Sequence, residues 1–253
     1  MSAAPGGASG ARPVALVVGA GDFIGSAIAR RFAAGGYTTA VGRRRAEKLE
    51  PLVAEIEAAG GRARAFALDA REEEKVQKVF ESIERELGPL EVMIFNVGAN
   101  VSFPILETTS RVFRKVWEMA CFGGFLCGRE AAKHMLPRQR GSIFFTGATA
   151  SVRGGKGFGA FASAKSGLRA LAQSMARELG PQNLHVAHLV IDAGVDTAWV
   201  RERIREAGRD PEALPEGTLM NPASVAEAYW MLHQQPRDAW TFELDLRPHR
   251  ESW

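Results

Sequence analysis

Cysteine and tyrosine are scarce in this chain, with two of each among 253 residues. The cysteines, Cys121 and Cys127, stand six apart in a segment of helical period. Six residues turn a helix by about 600°, so the two thiols face different ways and cannot bridge each other. Two unpaired thiols suit a reducing, cytoplasmic compartment. No apolar run approaches the roughly 18 residues that mark a membrane span. Charge of one sign is not in excess either. The 32 basic and 29 acidic residues leave +3, too small a surplus for nucleic acid to be the main partner. The opening MSAAPGGASGARP has no apolar segment of the kind found in signal peptides and anchors. Residues 1–12 are expected to form a disordered tail.

What the chain does contain is alternation. Apolar runs VALVVG, TTAVG, ARAFAL, EVMIFNVG, GSIFFTG, LHVAHLVI and TFELDL read as seven strands. Between them lie segments of helical period: Ile24 to Ala34, Ala46 to Ala59, Glu72 to Leu87, one long helix from Val112 to Leu136, and Gly159 to Leu179. Strands rich in Val, Ile and Phe that alternate with helices imply an α/β fold. The expected architecture is a Rossmann-like, doubly wound, mostly parallel seven-stranded sheet with helices on both faces. Ligands then belong at the carboxyl ends of the strands. Residues 13–253 read as a single domain. Within it, 197–222 is charged, is interrupted by Pro211 and Pro215, and is expected to be a lid. No metal site is expected.

The stretch VVGAGDFIGSAIARRF puts Gly19, Gly21 and Gly25 between the first strand and its helix. Glycines there permit a tight turn and bring a pyrophosphate close to backbone N–H groups at the helix start. A bare βα turn is the plain alternative. In this setting the chain resembles the short-chain dehydrogenase/reductase family, whose motif G-x-x-x-G-x-G matches at Gly19 and Gly25, with Phe23 at the middle glycine. The resemblance runs over nearly the whole chain and implies a nicotinamide dinucleotide site. Gly19, Gly21, Asp22, Phe23, Ile24 and Gly25 would form its pyrophosphate turn. Asp22 stands where NADP-binding relatives often carry a base.

Gly42-Arg43-Arg44-Arg45 follows the second strand. An NAD-preferring relative would carry an acid near Gly42, whereas Arg43 resembles members that hold a 2′-phosphate. The resemblance therefore implies NADP(H) over NAD(H), although the arginines also read as a solvated cluster starting a helix. Asp69, followed by Ala70, resembles the family's adenine contact. Asp69-x-x-Glu72 reads equally as a capping box. Asn96-Val97-Gly98 resembles the family's N-A-G beside the adenosine ribose. Gly194, Val195 and Thr197 resemble the P-G-x-x-T segment that holds the carboxamide, with Ala193 in place of proline.

The family's catalytic groups are a tyrosine, a lysine four residues later, a serine thirteen residues before the tyrosine, and an asparagine on the long helix. Here FASAK supplies Lys165, but Phe161 holds the tyrosine position. The serine position is Ala148 and the asparagine position is Ala120, with Thr149 and Ser151 as neighbouring hydroxyls. Tyr37 and Tyr229 are placed on outer helices or their ends. Phe161, Phe158, Phe103 and Trp199 are expected to line an apolar pocket.

Two functional readings remain open. The first is an NAD(P)(H)-dependent oxidoreductase that transfers hydride to or from a small, apolar substrate, with tyrosine-based carbonyl reduction impaired. The second is a non-catalytic NADP(H)-binding sensor or assembly protein on the same fold. Family relatives usually assemble through the two long helices, so a homodimer or homotetramer is implied, over faces carrying Cys121, Phe122, Phe125, Leu168 and Leu171. The ending ELDLRPHRESW departs from the family and suggests no role.

Overall fold

The computed structural model describes residues 12–21 and 23–251. The tail expected over residues 1–12 therefore lies, but for Arg12, outside the described residues, as does Asp22. The chain runs β1 (Val14–Val18), α1 (Ile24–Ala34), β2 (Thr38–Arg43), α2 (Glu50–Ala58), β3 (Arg62–Ala67), α3 (Glu73–Glu86) and β4 (Leu90–Phe95). It continues through α4 (Ser110–Trp117), α5 (Gly123–Met135), β5 (Gly141–Thr146), α6 (Gly159–Leu179) and β6 (Leu184–Ile191), then α7 (Ala198–Glu206), α8 (Pro222–His233) and β7 (Glu243–Leu246). The seven strands form one sheet in the order β3-β2-β1-β4-β5-β6-β7, and every pairing is parallel.

The period of two along each strand divides the core. Val14, Leu16 and Val18 of β1 enter one apolar cluster with residues of α3, α5 and α6. Ala15 and Val17 enter the cluster on the opposite face, with residues of α1, α2 and α8. Burial on both faces is why β1 reads as an unbroken apolar run. The strand order reverses between β1 and β4, and a crevice opens there at the carboxyl edge.

The long helix expected from Val112 to Leu136 is interrupted. A π-helical turn, Glu118–Phe122, separates α4 from α5. Directly after it, Gly123 and Gly124 let the backbone close in: an added Cβ would stand 3.2 Å from Ala70 Cβ and 2.4 Å from Leu168 Cδ1 respectively. The capping box is also corrected. Helix α3 begins at Glu73 with Glu72 as its N-cap, three residues past Asp69, and Glu72 makes no side-chain cap.

The expected assembly face changes as well. Leu168 is fully buried and Cys121 is buried, so neither forms surface. The exposed large apolar side chains along α4 and α5 are Phe113, Trp117 and Phe125, the last two stacked on either side of Phe122. Segment 197–222 contains α7 and a 3₁₀ turn at Pro211–Ala213, and it returns to the edge of the site through a bridge between Val195 and Met220. Among the described residues, no helix is long and apolar enough to cross a membrane.

Candidate active site

Gly19 takes φ +84°, and a Cβ there would stand 2.7 Å from the Asn96 carbonyl oxygen. Both facts require glycine. Gly25 is equally constrained, since its Cβ would meet the Gly19 oxygen at 2.6 Å. Phe23 stands at the head of α1 with φ −123° and ψ −103°, outside the helical and extended basins, and it lines the larger of two cavities. Gly21 has no left-handed φ and open space around it.

The two cavities share Gly19, Gly21, Asn96, Val97 and Gly98 as a common wall. The smaller, about 260 Å³, lies over the ends of β1, β2 and β3. Arg43, Arg44, Arg45 and Arg71 line it, with Ala70 beside them and Asp69 as the single acid among the described lining residues. Arg71 grips Asp69 from two nitrogens at 2.9 and 2.6 Å, and this holds the Asp69 carboxyl below its ordinary range. Oδ1 also accepts the Arg71 backbone N–H at 3.2 Å, so Oδ2 is the oxygen with a further lone pair to offer.

The larger cavity, about 930 Å³, extends from Ile24 and Gly25 past Lys165 to Gly194, Val195 and Thr197. Its floor is tied by a directed chain of hydrogen bonds. Thr146 Oγ1 donates to Asn96 Oδ1 at 3.1 Å, and Asn96 Nδ2 donates to the Gly19 carbonyl at 3.2 Å. Thr146 has one hydroxyl proton, so at its 2.6 Å contact with Tyr229 the phenol is the donor. Tyr229 thus reaches inward from α8, contrary to its expected outer placement. It is fully buried, and burial raises its pKa. Lys165 Nζ donates to the carbonyls of Thr146 (2.7 Å) and Val97 (3.1 Å). Burial lowers its pKa to about 8, against a smaller opposing effect of Cys121. One of the three Lys165 N–H groups remains for a ligand.

The family's other catalytic positions are apolar in a concerted way. Phe161 and Ala120 belong to one buried cluster, and Ala148 packs against it. Ala120 sits in the π turn and does not line the cavity, whereas Phe161 and Ala148 do. Of the two neighbouring hydroxyls, Ser151 is lost as a candidate. It is buried and absent from the cavity wall, and its Oγ accepts the Ala148 N–H at 3.1 Å. Thr149 does line the cavity, but its proton goes to the buried Asp192 carboxylate. Toward the cavity Thr149 therefore offers lone pairs, not a proton.

Asp192 follows β6 and gathers distant parts of the chain. Arg153 Nη2 lies 3.2 Å from one oxygen, and Arg247 Nη2, from the C-terminal segment, lies 3.2 Å from the other. Sequence reasoning missed Asp192, Arg153, Thr146 and Tyr229. The available signal was a lone acid directly after an eight-residue buried strand, since a buried carboxylate demands partners. Phe158 and Trp199 line the cavity as expected, but Phe103 is exposed and does not. Thr197 caps α7 by accepting the Val200 N–H at 3.1 Å.

Comparison with known proteins agrees with this geometry. The family model for short chain dehydrogenase matches residues 13–207. The chain is 34% identical over 245 residues to an uncharacterised oxidoreductase, YuxG, of Bacillus subtilis, a match covering 90% of this chain but only 36% of that protein. The chain thus spans about a third of the length of that relative. The crystal structure of a short-chain dehydrogenase from Rhodopseudomonas palustris is similar at 58% identity and TM-score 0.80, covering 94% of this chain and 99% of that one. An alcohol dehydrogenase from Thermococcus sibiricus, solved with 5-hydroxy-NADP, is similar at 26% identity and TM-score 0.79, over 95% and 98% of the two chains. With the family model matched over most of its length, the chain belongs to the short-chain dehydrogenase/reductase family of NAD(P)-dependent oxidoreductases.

Proposed function

We propose that this chain binds NADP(H) in preference to NAD(H) and transfers hydride to or from a small substrate with an apolar body, without a tyrosine acid. The observation that carries the reading is the continuous groove that joins an arginine-lined pocket to a cavity holding Lys165 and Phe161. Arg43, Arg44 and Arg45 suit a 2′-phosphate, which a guanidinium recognises through paired N–H groups. The relative from Thermococcus sibiricus was solved with an NADP derivative, in keeping with this choice. The bound nicotinamide would supply or accept the hydride.

The chain's own residues then define what substrate fits. The free N–H of Lys165 faces the cavity and suits a ribose hydroxyl. Phe161 closes the wall where the family has its acid, and Thr149 presents only an acceptor. A carbonyl oxygen would gain charge with no tyrosine or serine hydroxyl at the family's positions, which forgoes a factor of about 10²–10⁴ in rate. Acceptors that need little acid help, such as an activated alkene, an iminium or a quinone, suit this wall better. The proton that an alkene or quinone also needs comes from solvent water, because Asp192 holds the Thr149 proton; an iminium needs none. Nothing in the comparisons favours a non-catalytic binding role. A cytoplasmic location and a homo-oligomer formed through the Trp117–Phe122–Phe125 surface complete the reading.

The test is NADPH oxidation measured against quinones, activated alkenes and simple ketones in parallel. Turnover of the first two with ketones left almost untouched supports the reading. Fast ketone reduction contradicts it.

A further inference from the structure

The arginines of α7 and the turn after it divide by face. Arg201 is bidentate to Asp196 and contacts Glu212 at 2.8 Å, and Arg205 pairs with Glu202 at 3.0 Å. Arg203 and Arg209 line the larger cavity, and neither has an acidic partner among the described residues. Arg203 lies in a stripe with Trp199, Val200, Ile204 and Ala207, the i, i+3 and i+4 spacing that puts side chains on one helix face. Its guanidinium lies over the Trp199 ring, 5.0 Å from the centre. The same cavity is lined by Arg153. Asp192 holds it through Nη2 alone, so its other nitrogens are turned to no acid among the described residues. No Asp or Glu is among the described residues lining this cavity. Cations gathered in a concave site without acids attract an anionic ligand.

Resting on the reading of this cavity as the hydride-transfer site, we propose that the substrate is an organic acid. Its carboxylate is held between Arg153 and Arg203, and its apolar body lies against Trp199, Phe158 and Phe161. Arg153 sits in the turn that also carries Ala148 and Thr149, at the substrate end of the cavity and away from the glycine turn where a cofactor diphosphate belongs. Asp192 fixes Arg153 in orientation without covering it. Guanidinium groups suit this task because their planar fork matches a carboxylate.

The experiment is calorimetric titration of the NADPH-loaded protein with benzoate, phenylacetate and cinnamate, each against its neutral amide, repeated on R153Q and R203Q. Arg203 is exposed on its helix, so R203Q keeps the test interpretable if R153Q disturbs Asp192. At least one acid should bind about tenfold or more tighter than its amide, the order of a placed charge pair. That preference should vanish in R203Q with NADPH affinity unchanged. Acids that bind no better than amides overturn the proposal. So does a variant that loses NADPH affinity while keeping the preference, which would assign the arginines to the cofactor's phosphates. The titration reads binding and not turnover. A protein that prefers acids but oxidises no NADPH therefore overturns the oxidoreductase reading alone. One that turns over neutral substrates and ignores the acids' charge overturns this inference alone.

Discussion

The Lys165 ammonium nitrogen lies 5.9 Å from the centre of the Phe161 ring, one helical turn away on α6. At that distance the ring's π face attracts the cation weakly, in place of the phenol that the family's chemistry uses. Restoring the hydroxyl should therefore restore part of the acid. F161Y is expected to raise reduction of an activated ketone by about 10², the low end for a placed general acid, because Ala148 and Ala120 remain apolar. The readout is NADPH consumption. An unchanged rate with NADPH bound would show that the missing phenol is not what limits carbonyl chemistry.

Burial of Lys165 has a pH signature of its own. Its pKa is lowered to about 8 in the folded chain from 10.5, first by desolvation. Between those values the unfolded chain binds more protons, so this lysine's contribution makes stability rise with pH over that window. The penalty relieved is about 3 kcal/mol in full. K165M should lose stability at every pH, because the Thr146 and Val97 carbonyls lose their donor, and it should also lose this rise. Denaturant titrations from pH 8 to 10.5 on both proteins test it. Parallel curves would contradict the assignment.

His188 works in the opposite pH range. It is fully buried, and desolvation lowers its pKa to about 4, against the smaller pull of Glu243, whose carboxylate lies 3.1 Å from Nδ1. His233 is lowered to about 4 for the same main reason. Both stay neutral in the folded chain while the unfolded chain gains protons below about 6.5. Stability should thus fall as pH drops from 6.5 to 4. H188Q should flatten the fall by about 3 kcal/mol at most. Equal acid slopes for the two proteins would contradict the buried, neutral state.

Tyr229 anchors the chain of hydrogen bonds through Thr146 and Asn96 to the Gly19 carbonyl. Y229F keeps the ring and removes the donor. It should cost about 1–2 kcal/mol by denaturant unfolding, the usual loss for a buried hydrogen bond. Unchanged stability would mean that the phenol does not support the floor of the site.

Much of this was legible in the sequence because local pattern and global fold agree there. The strands of β1, β4, β5 and β6 are buried on both faces, and their apolar runs announce it. Helix α6 begins and ends where its period does. What stayed hidden depends on partners far away in the chain. Asp69 reads as a cap, but α3 begins at Glu73, and the Asp69 oxygens go to Arg71. The break between α4 and α5 has no proline to announce it, and the close approaches to Ala70 and Leu168 come only with the tertiary fold. Ser151 and Thr149 look alike as candidate hydroxyls until their partners, Ala148 N–H and Asp192, are in place. The C-terminal segment showed no role until Arg247 met Asp192 and the Leu246 carbonyl accepted the Asp192 N–H at 2.9 Å.

The groove is expected to hold NADP(H) despite Phe23 in its glycine turn. Titration with NADPH and with NADH, followed by nicotinamide fluorescence, tests it most directly. Saturable binding of NADPH, about tenfold or more tighter than that of NADH, is the expected result, as a 2′-phosphate among arginines requires. Binding of neither nucleotide, or tighter binding of NADH, would contradict it.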